Sequence, residues 1–161
     1  MAKEKVIISA CLLGHTCRYD GKTKKTTEIV DAFKDYEVIP FCPEAPLFGT
    51  PRERISVIEI DGKNNIVTDR SNKNVTKLLE DEIAKFIKQN PHVKEIVLKS
   101  KSPSCGINST SILNEKKEKI KIGNGIAGEM FLKRYPHIKI SDEITYKFTE
   151  NIKEDKVIIW V

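Results

Sequence analysis

The sequence predicts a compact α/β domain of three layers built on a mainly parallel sheet. Three observations carry that reading. Short β-branched runs recur along the chain, segments of helical periodicity separate them, and 161 residues is the size of one domain. Such a length buries about two thirds of the surface its unfolded chain exposes, so neither a disulfide nor a structural metal is needed merely to fold.

KVIISA (5 to 10) is apolar, β-branched and flanked by polar residues, as a short buried strand should be. The same pattern fits EVIPF (37 to 41), EIVLKS (95 to 100) and the terminal VIIWV. Between them, TEIVDAFKDY (27 to 36) predicts a short helix and NVTKLLEDEIAKFIKQN (74 to 90) a longer one. In the longer helix Val75, Leu78, Leu79, Ile83, Phe86 and Ile87 share one face, Asn74 caps the start and Asn90-Pro91 ends it. IAGEMFLKRY (126 to 135) predicts a third helix, followed by a weak strand at HIKI. VIEIDGKNNIVTD (57 to 69) reads as a hairpin turning at Asp61-Gly62 or Asn64-Asn65. The tail from 143 to 161 is expected to add an edge hairpin, with Trp160 covering core. No repeat or linker divides the chain, so residues 1 to 161 form one domain on this reading.

The start MAKEKVIISA has an apolar run too short for a signal peptide, and no later run is long enough to span a bilayer. The expectation is a cytoplasmic protein without membrane partners. In a reducing compartment its four cysteines serve as ligands, nucleophiles or buried thiols rather than as structural disulfides. The 28 basic against 23 acidic residues leave a formal charge of +5, concentrated in GKTKKTT (21 to 27) and NEKKEKIKIG (114 to 123). Without interleaved aromatics these clusters are solvated loops first and a nucleic-acid signature only weakly. A thiolated tRNA component is the furthest such a reading extends.

The cysteines carry the chemistry. In open α/β sheets ligands collect beyond the carboxyl ends of the strands. Cys11 follows KVIISA, Cys42 follows EVIPF and Cys105 follows EIVLKS after a short loop, so the three can converge although distant in sequence. A structural zinc site prefers two close Cys pairs, whereas Cys11 and Cys17 are separated by five residues and the other spacings are longer. The same spacing lacks the compactness of a C-x-x-C redox pair. Three thiolates around one crevice suit an iron-sulfur cluster, whose ligands need not be adjacent in sequence. Zinc, a cysteine nucleophile and plain buried thiols remain open on spacing alone.

The neighbourhoods of these cysteines are polar. Cys42-Pro43-Glu44 sets a carboxylate beside one of them, able to act as a general base if partly buried, and Arg52 follows a second proline turn. Ser100, Ser102 and Ser104 crowd Cys105. Gly123-Asn124-Gly125-Ile126-Ala127-Gly128 reads GxGxxG, but only the short run KIKI precedes it and Asp142-Glu143 comes too early for a ribose ligand. A close-packed helix start, or one offering amides to a ligand, is the better reading.

SACLLG, CRYDG, CPE, the PR of TPRER and LKSKSPSCG stand in order along the chain. With them it resembles a bacterial family, formerly of unknown function, whose characterised members are thiouracil desulfidases. The resemblance runs from about residue 5 to about residue 143. It implies a compact α/β domain holding a 4Fe-4S cluster through Cys11, Cys42 and Cys105, with the fourth iron free for a sulfur ligand. It also implies a catalytic Glu44 and a catalytic serine at Ser100, with Ser102 as second choice. Cys17, Arg18, Asp20, Arg52 and Ser104 would stand around them.

The implied reaction is non-redox desulfuration of a thiolated pyrimidine, releasing sulfide and the oxo base; the sulfide acceptor is unspecified. The alternative is an iron-sulfur or zinc module that binds or carries sulfur without turnover. The chain departs from the family pattern after CPE, where Ala45-Pro46-Leu47-Phe48-Gly49 and Arg52-Glu53-Arg54 stand, and in its lysine-rich segment and tail. The added positive charge suits a larger substrate, such as a thiouridine nucleoside or nucleotide.

Overall fold

The computed structural model describes residues 3–146. Eight strands and four helices alternate through them: β1 (Lys5–Ser9), α1 (Thr27–Ala32), β2 (Glu37–Phe41), α2 (Glu44–Phe48), β3 (Ile55–Ile60), β4 (Lys63–Thr68), α3 (Thr76–Gln89), β5 (Glu95–Leu98), β6 (Thr110–Leu113), β7 (Lys119–Gly123), α4 (Ile126–Arg134) and β8 (Lys139–Asp142). They form two four-stranded sheets, in the orders β2-β1-β5-β8 and β4-β3-β6-β7.

The first sheet is parallel throughout, as the alternation of strands and helices predicts. Val6, Ile7 and Ile8 of β1 are fully buried, which requires both faces of the strand to be covered. One face, with Val6, Ile8 and Val97, packs on Ile29 of α1, Phe33 and Leu12. The other, with Ile7, Ile96 and Leu98, joins Leu79, Ile83 and Ile87 of α3 and Phe131 of α4. The Phe131 ring centroid lies 4.9 Å from that of Phe41, the rings tilted, and 5.6 Å from that of Tyr135, edge to face. Pro40, which cannot donate to a ladder, sits on the edge strand β2.

The second sheet is an addition to the sequence expectation. The hairpin predicted over 57 to 69 is β3–β4, and its turn is Asp61-Gly62, both at positive φ (51° and 77°) as a tight hairpin turn requires. β6 pairs parallel to β3 and antiparallel to β7, and Val57, Ile66 and Ile112 extend the same core as α3 and α4. α3 begins at Thr76 rather than at Asn74. The Asn74 carboxamide oxygen still accepts from the Thr76 amide (3.1 Å) and hydroxyl (2.6 Å), serving the helix start from outside it.

At the other end Asp142 accepts from the amides of Ile144 (2.9 Å) and Thr145 (2.8 Å), capping a helical turn over 143 to 146. Those four residues are therefore not strand; the rest of the expected edge hairpin, with Trp160, lies outside the described residues. Among the described residues no helix is long and apolar enough to cross a membrane.

Candidate functional site

Because β1 lies between β2 and β5 and all three run parallel, their carboxyl ends adjoin. Cys11 sits in the 3-10 turn Ala10–Leu13 after β1, Cys42 between β2 and α2, and Cys105 on the loop after β5. All three, with Cys17, line one cavity of about 880 Å³. Cys11 and Cys105 are buried, Cys17 and Cys42 half-buried, and all four are unbridged. The Cys11 carbonyl accepts from the Thr23 hydroxyl (2.8 Å) and the Lys24 amide (3.1 Å), which folds the CRYDG loop back over the turn.

The thiols touch one another and the serines. Cys17 hydrogen-bonds with Cys11 and Cys42, and the Cys42 thiol also donates to the Cys17 carbonyl at 3.8 Å. Cys105 hydrogen-bonds with Ser9 and Ser102. The Cys42 thiol is pushed up by its bond with Cys17 and then by burial, and the Cys17 thiol by its bond with Cys11. Burial pushes Cys105 up to about 12. Left to themselves these groups are neutral thiols, and a soft cation is what would draw them into thiolates. Among the described residues no three His, Cys, Asp or Glu side chains converge on a single-ion position. A polynuclear cluster asks less of its ligands, because each binds a different iron.

The loop bearing Cys105 is held from both sides. The Ser102 Oγ accepts from the amides of Ser104 (3.1 Å) and Cys105 (3.0 Å), so Ser102 organises the turn as well as meeting the thiol. From the opposite side the start of α4 donates to the loop carbonyls. Ile126 bonds Pro103 (3.1 Å), Ala127 and Gly128 bond Ser104 (2.7 and 3.2 Å), and Gly125 bonds Gly106 (2.8 Å). A Cβ on Gly125 would lie 2.6 Å from the Ser104 carbonyl. The GxGxxG run is thus a close-packing seat whose amides are already engaged, not a dinucleotide loop.

Glu44 opens α2 and is buried. Its Oε2 accepts from the Ser104 hydroxyl at 2.7 Å, and its Oε1 lies 3.3 Å from Arg52 Nε. Arg52 is fixed in turn, donating through Nη1 to the Gly49 carbonyl (2.9 Å) and Thr50 hydroxyl (3.1 Å), while its amide donates to the Tyr19 carbonyl (2.8 Å). The PR segment therefore ties the CRYDG loop to the CPE loop. Arg18 pairs with Asp20 at 3.5 Å and lies over the Tyr19 ring. Arg18 reaches the cavity wall, whereas Asp20 accepts from the Lys22 amide (3.0 Å) and shapes the loop.

Ser100 lines the same cavity but not against Glu44. Its partners are Glu143, beyond the end of β8, and Lys99. Burial opposes the charge on Glu143, yet the Ser100 amide and the Lys99 ammonium outweigh it and hold the carboxyl below its usual range. Sequence reasoning did not single out Ser9, Lys99, Arg54 or Glu143 as site residues. Ser9 and Lys99 lie inside the quoted motifs, and Glu143 directly follows a parallel strand, which is the signal that could have found it. Lys24 and Lys25 of the first lysine cluster and Lys101 also reach the wall. In the second cluster Lys117 bonds the Asp69 carbonyl (2.9 Å) and Lys121 pairs with Glu59.

Residues 6–143 match a family described as 2-thiouracil desulfurase. A Bacillus subtilis (strain 168) protein described as uncharacterized protein YbbK is 32% identical over 110 residues, spanning 63% of this chain and 72% of that protein. A solved structure described as a 4Fe-4S-dependent thiouracil desulfidase, TudS, is 31% identical with a TM-score of 0.64, covering 88% of this chain and 91% of that one.

Proposed function

The chain belongs to the 2-thiouracil desulfurase family, and from that premise we propose that it hydrolyses the carbon–sulfur bond of a thiolated pyrimidine with the help of a 4Fe-4S cluster. The observation that supports this most is the meeting of Cys11, Cys42, Cys105 and Glu44 on one cavity wall. The donor set fits the group: soft sulfur ligands from three separate loops, two buried and one half-buried, with serine hydroxyls at Cys105. In this reading Cys11, Cys42 and Cys105 are the ligands and Cys17 is a neighbouring thiol outside the set. Bound through three cysteines, the cluster would supply an open iron, a Lewis acid for the thiocarbonyl sulfur.

The reaction exchanges sulfur for the oxygen of water. A carbon–oxygen bond forms, the carbon–sulfur bond breaks, and the two protons of water end on the departing sulfide, with no change in net oxidation. Glu44 is the base that takes a proton from the attacking water. Ser104 and Arg52 hold its two oxygens so that the carboxylate faces the cavity in one orientation, and Arg52 balances its charge. Ser100 contacts the substrate from the adjoining wall. Lys24, Lys25, Arg54 and Lys101 favour an anionic extension of the pyrimidine, so a nucleotide is within the expected range beside the base and nucleoside.

The test is anaerobic purification, metal and sulfide analysis, and sulfide release from thiouracil, thiouridine and its monophosphate. About four irons per chain and many sulfides released per cluster are expected. Full loading with no sulfide from any of the three overturns the enzymatic reading, and one sulfide per cluster identifies a carrier instead.

A further inference from the structure

Ser100 is held by two residues that the proposed reaction has not yet used. Its amide donates to Glu143 Oε1 at 2.7 Å and its hydroxyl to Oε2 at 2.8 Å, so one carboxylate grips both donors of one residue. Lys99 Nζ stands 3.1 Å from the same Oε2, 2.8 Å from the Ser100 carbonyl and 3.3 Å from its Oγ. Ser100 is 3% exposed, and all three residues line the cavity that holds the cysteines. A largely buried ion pair is a poor device for stability alone, since desolvation consumes much of its attraction. Here it also fixes the direction of a hydroxyl.

A serine hydroxyl has one proton and two acceptor lone pairs, an ionised carboxylate only accepts, and an ammonium only donates. Glu143 therefore takes the Ser100 proton and Lys99 occupies one lone pair. What Oγ has left for a ligand is an acceptor. We infer that Glu143 and Lys99 are positioning residues that hold Ser100 as a hydrogen-bond acceptor for the pyrimidine N3–H, the ring N–H beside the thiocarbonyl that base, nucleoside and nucleotide all keep. The inference rests on the desulfidase reading and specifies how its substrate is recognised. A pyrimidine whose nitrogen there is methylated, or carries no hydrogen, would set a methyl or a lone pair against the Ser100 lone pair and be rejected. A site built to bond a particular N–H discriminates more strongly than a shaped apolar pocket does.

The experiment measures binding of uracil and 3-methyluracil to the cluster-loaded protein, with sulfide release from thiouracil recorded on separate aliquots of the same preparations. Wild type should prefer uracil by roughly 10- to 100-fold, the range set by leaving a buried acceptor unsatisfied. In Glu143→Gln the new carboxamide can donate to Ser100 Oγ and release its hydroxyl proton toward the cavity. The preference should then fall at least about fivefold with pocket volume unchanged. Ser100→Ala, which deletes a single oxygen, should lower it likewise and keeps the test decisive if the Glu143 variant does not fold. Equal binding of the two compounds by wild type, or a preference unchanged in the variants, overturns the assignment. Absent sulfide release by loaded wild type would instead overturn the desulfidase reading, whatever the binding ratio.

Discussion

The Ser104 hydroxyl donates a 2.7 Å hydrogen bond to Glu44 Oε2, joining two residues sixty positions apart. Glu44 stands two residues after Cys42 and Ser104 immediately before Cys105, so the bond also fixes the distance between two cysteine loops. Ser104→Ala leaves a buried carboxylate one donor short, which should cost about 1–3 kcal/mol in stability and loosen the orientation of Glu44. Glu44→Gln keeps the shape and removes the base. Sulfide release should fall by roughly 10²- to 10⁴-fold in that variant while iron content is retained. A Glu44→Gln enzyme of wild-type rate would refute its role as base.

The cysteines should separate into two groups. Cys11→Ser, Cys42→Ser and Cys105→Ser each remove a soft ligand and should lose most of the iron and sulfide after anaerobic reconstitution. Cys17→Ser should keep both, because on our assignment Cys17 only hydrogen-bonds with Cys11 and Cys42. Loss of the cluster in the Cys17 variant would place it in the ligand set and displace one of the others.

How far such a site can be read from sequence depends on what kind of order each part obeys. β1 and β5 were legible because strands covered on both faces become unbroken apolar runs, and the half-exposed edge strand β2 because EVIPF is still largely apolar; a cysteine after each run then pointed to one end of the sheet. α2 was not, since EAPLF is a single turn with a proline inside it and too short for periodicity to register. β6 was missed for a similar reason: TSIL offers one buried apolar side chain, Ile112, and one half-buried, Leu113, and its pairing with β3 is set by distant chain. The contact of Ser100 with Glu143 spans 43 positions and joins two side chains with no shared period. The glycine run was visible as a motif, but its true partner, the Cys105 loop, became evident only from the carbonyls that α4 meets.

That partnership makes a prediction of its own. Gly125→Ala would drive a Cβ into the Ser104 and Pro103 carbonyls, and Gly128→Ala into that of Gly106, and backbone cannot step aside as a flexible side chain can. Each substitution should destabilise the protein by about 1–3 kcal/mol through overpacking, measured as a lower urea midpoint. Iron retention should fall with it, because the displaced loop carries Cys105. If the run instead served a nucleotide, alanine would alter nucleotide binding and leave the unfolding midpoint in place.

Glu53 gives the pH dependence. Its carboxylate accepts from the Ser71 amide (3.0 Å) and hydroxyl (2.7 Å) and the Arg70 amide (2.8 Å), tying the segment after Arg52 to the turn after β4. Those donors, the Ser71 amide foremost, lower its pKa from 4.5 to about 2. A carboxyl depressed on folding stabilises the protein fully above its unfolded pKa, and the contribution is lost as pH falls toward the folded value. Relative to wild type, Glu53→Gln should therefore unfold at lower urea by a constant margin from neutrality down to about pH 5, and the margin should shrink as pH falls toward 2. A margin that held constant down to about pH 3 would show that the carboxamide loses something other than the ionised form, and the hydrogen bonds from Ser71 and Arg70 would not be its cause.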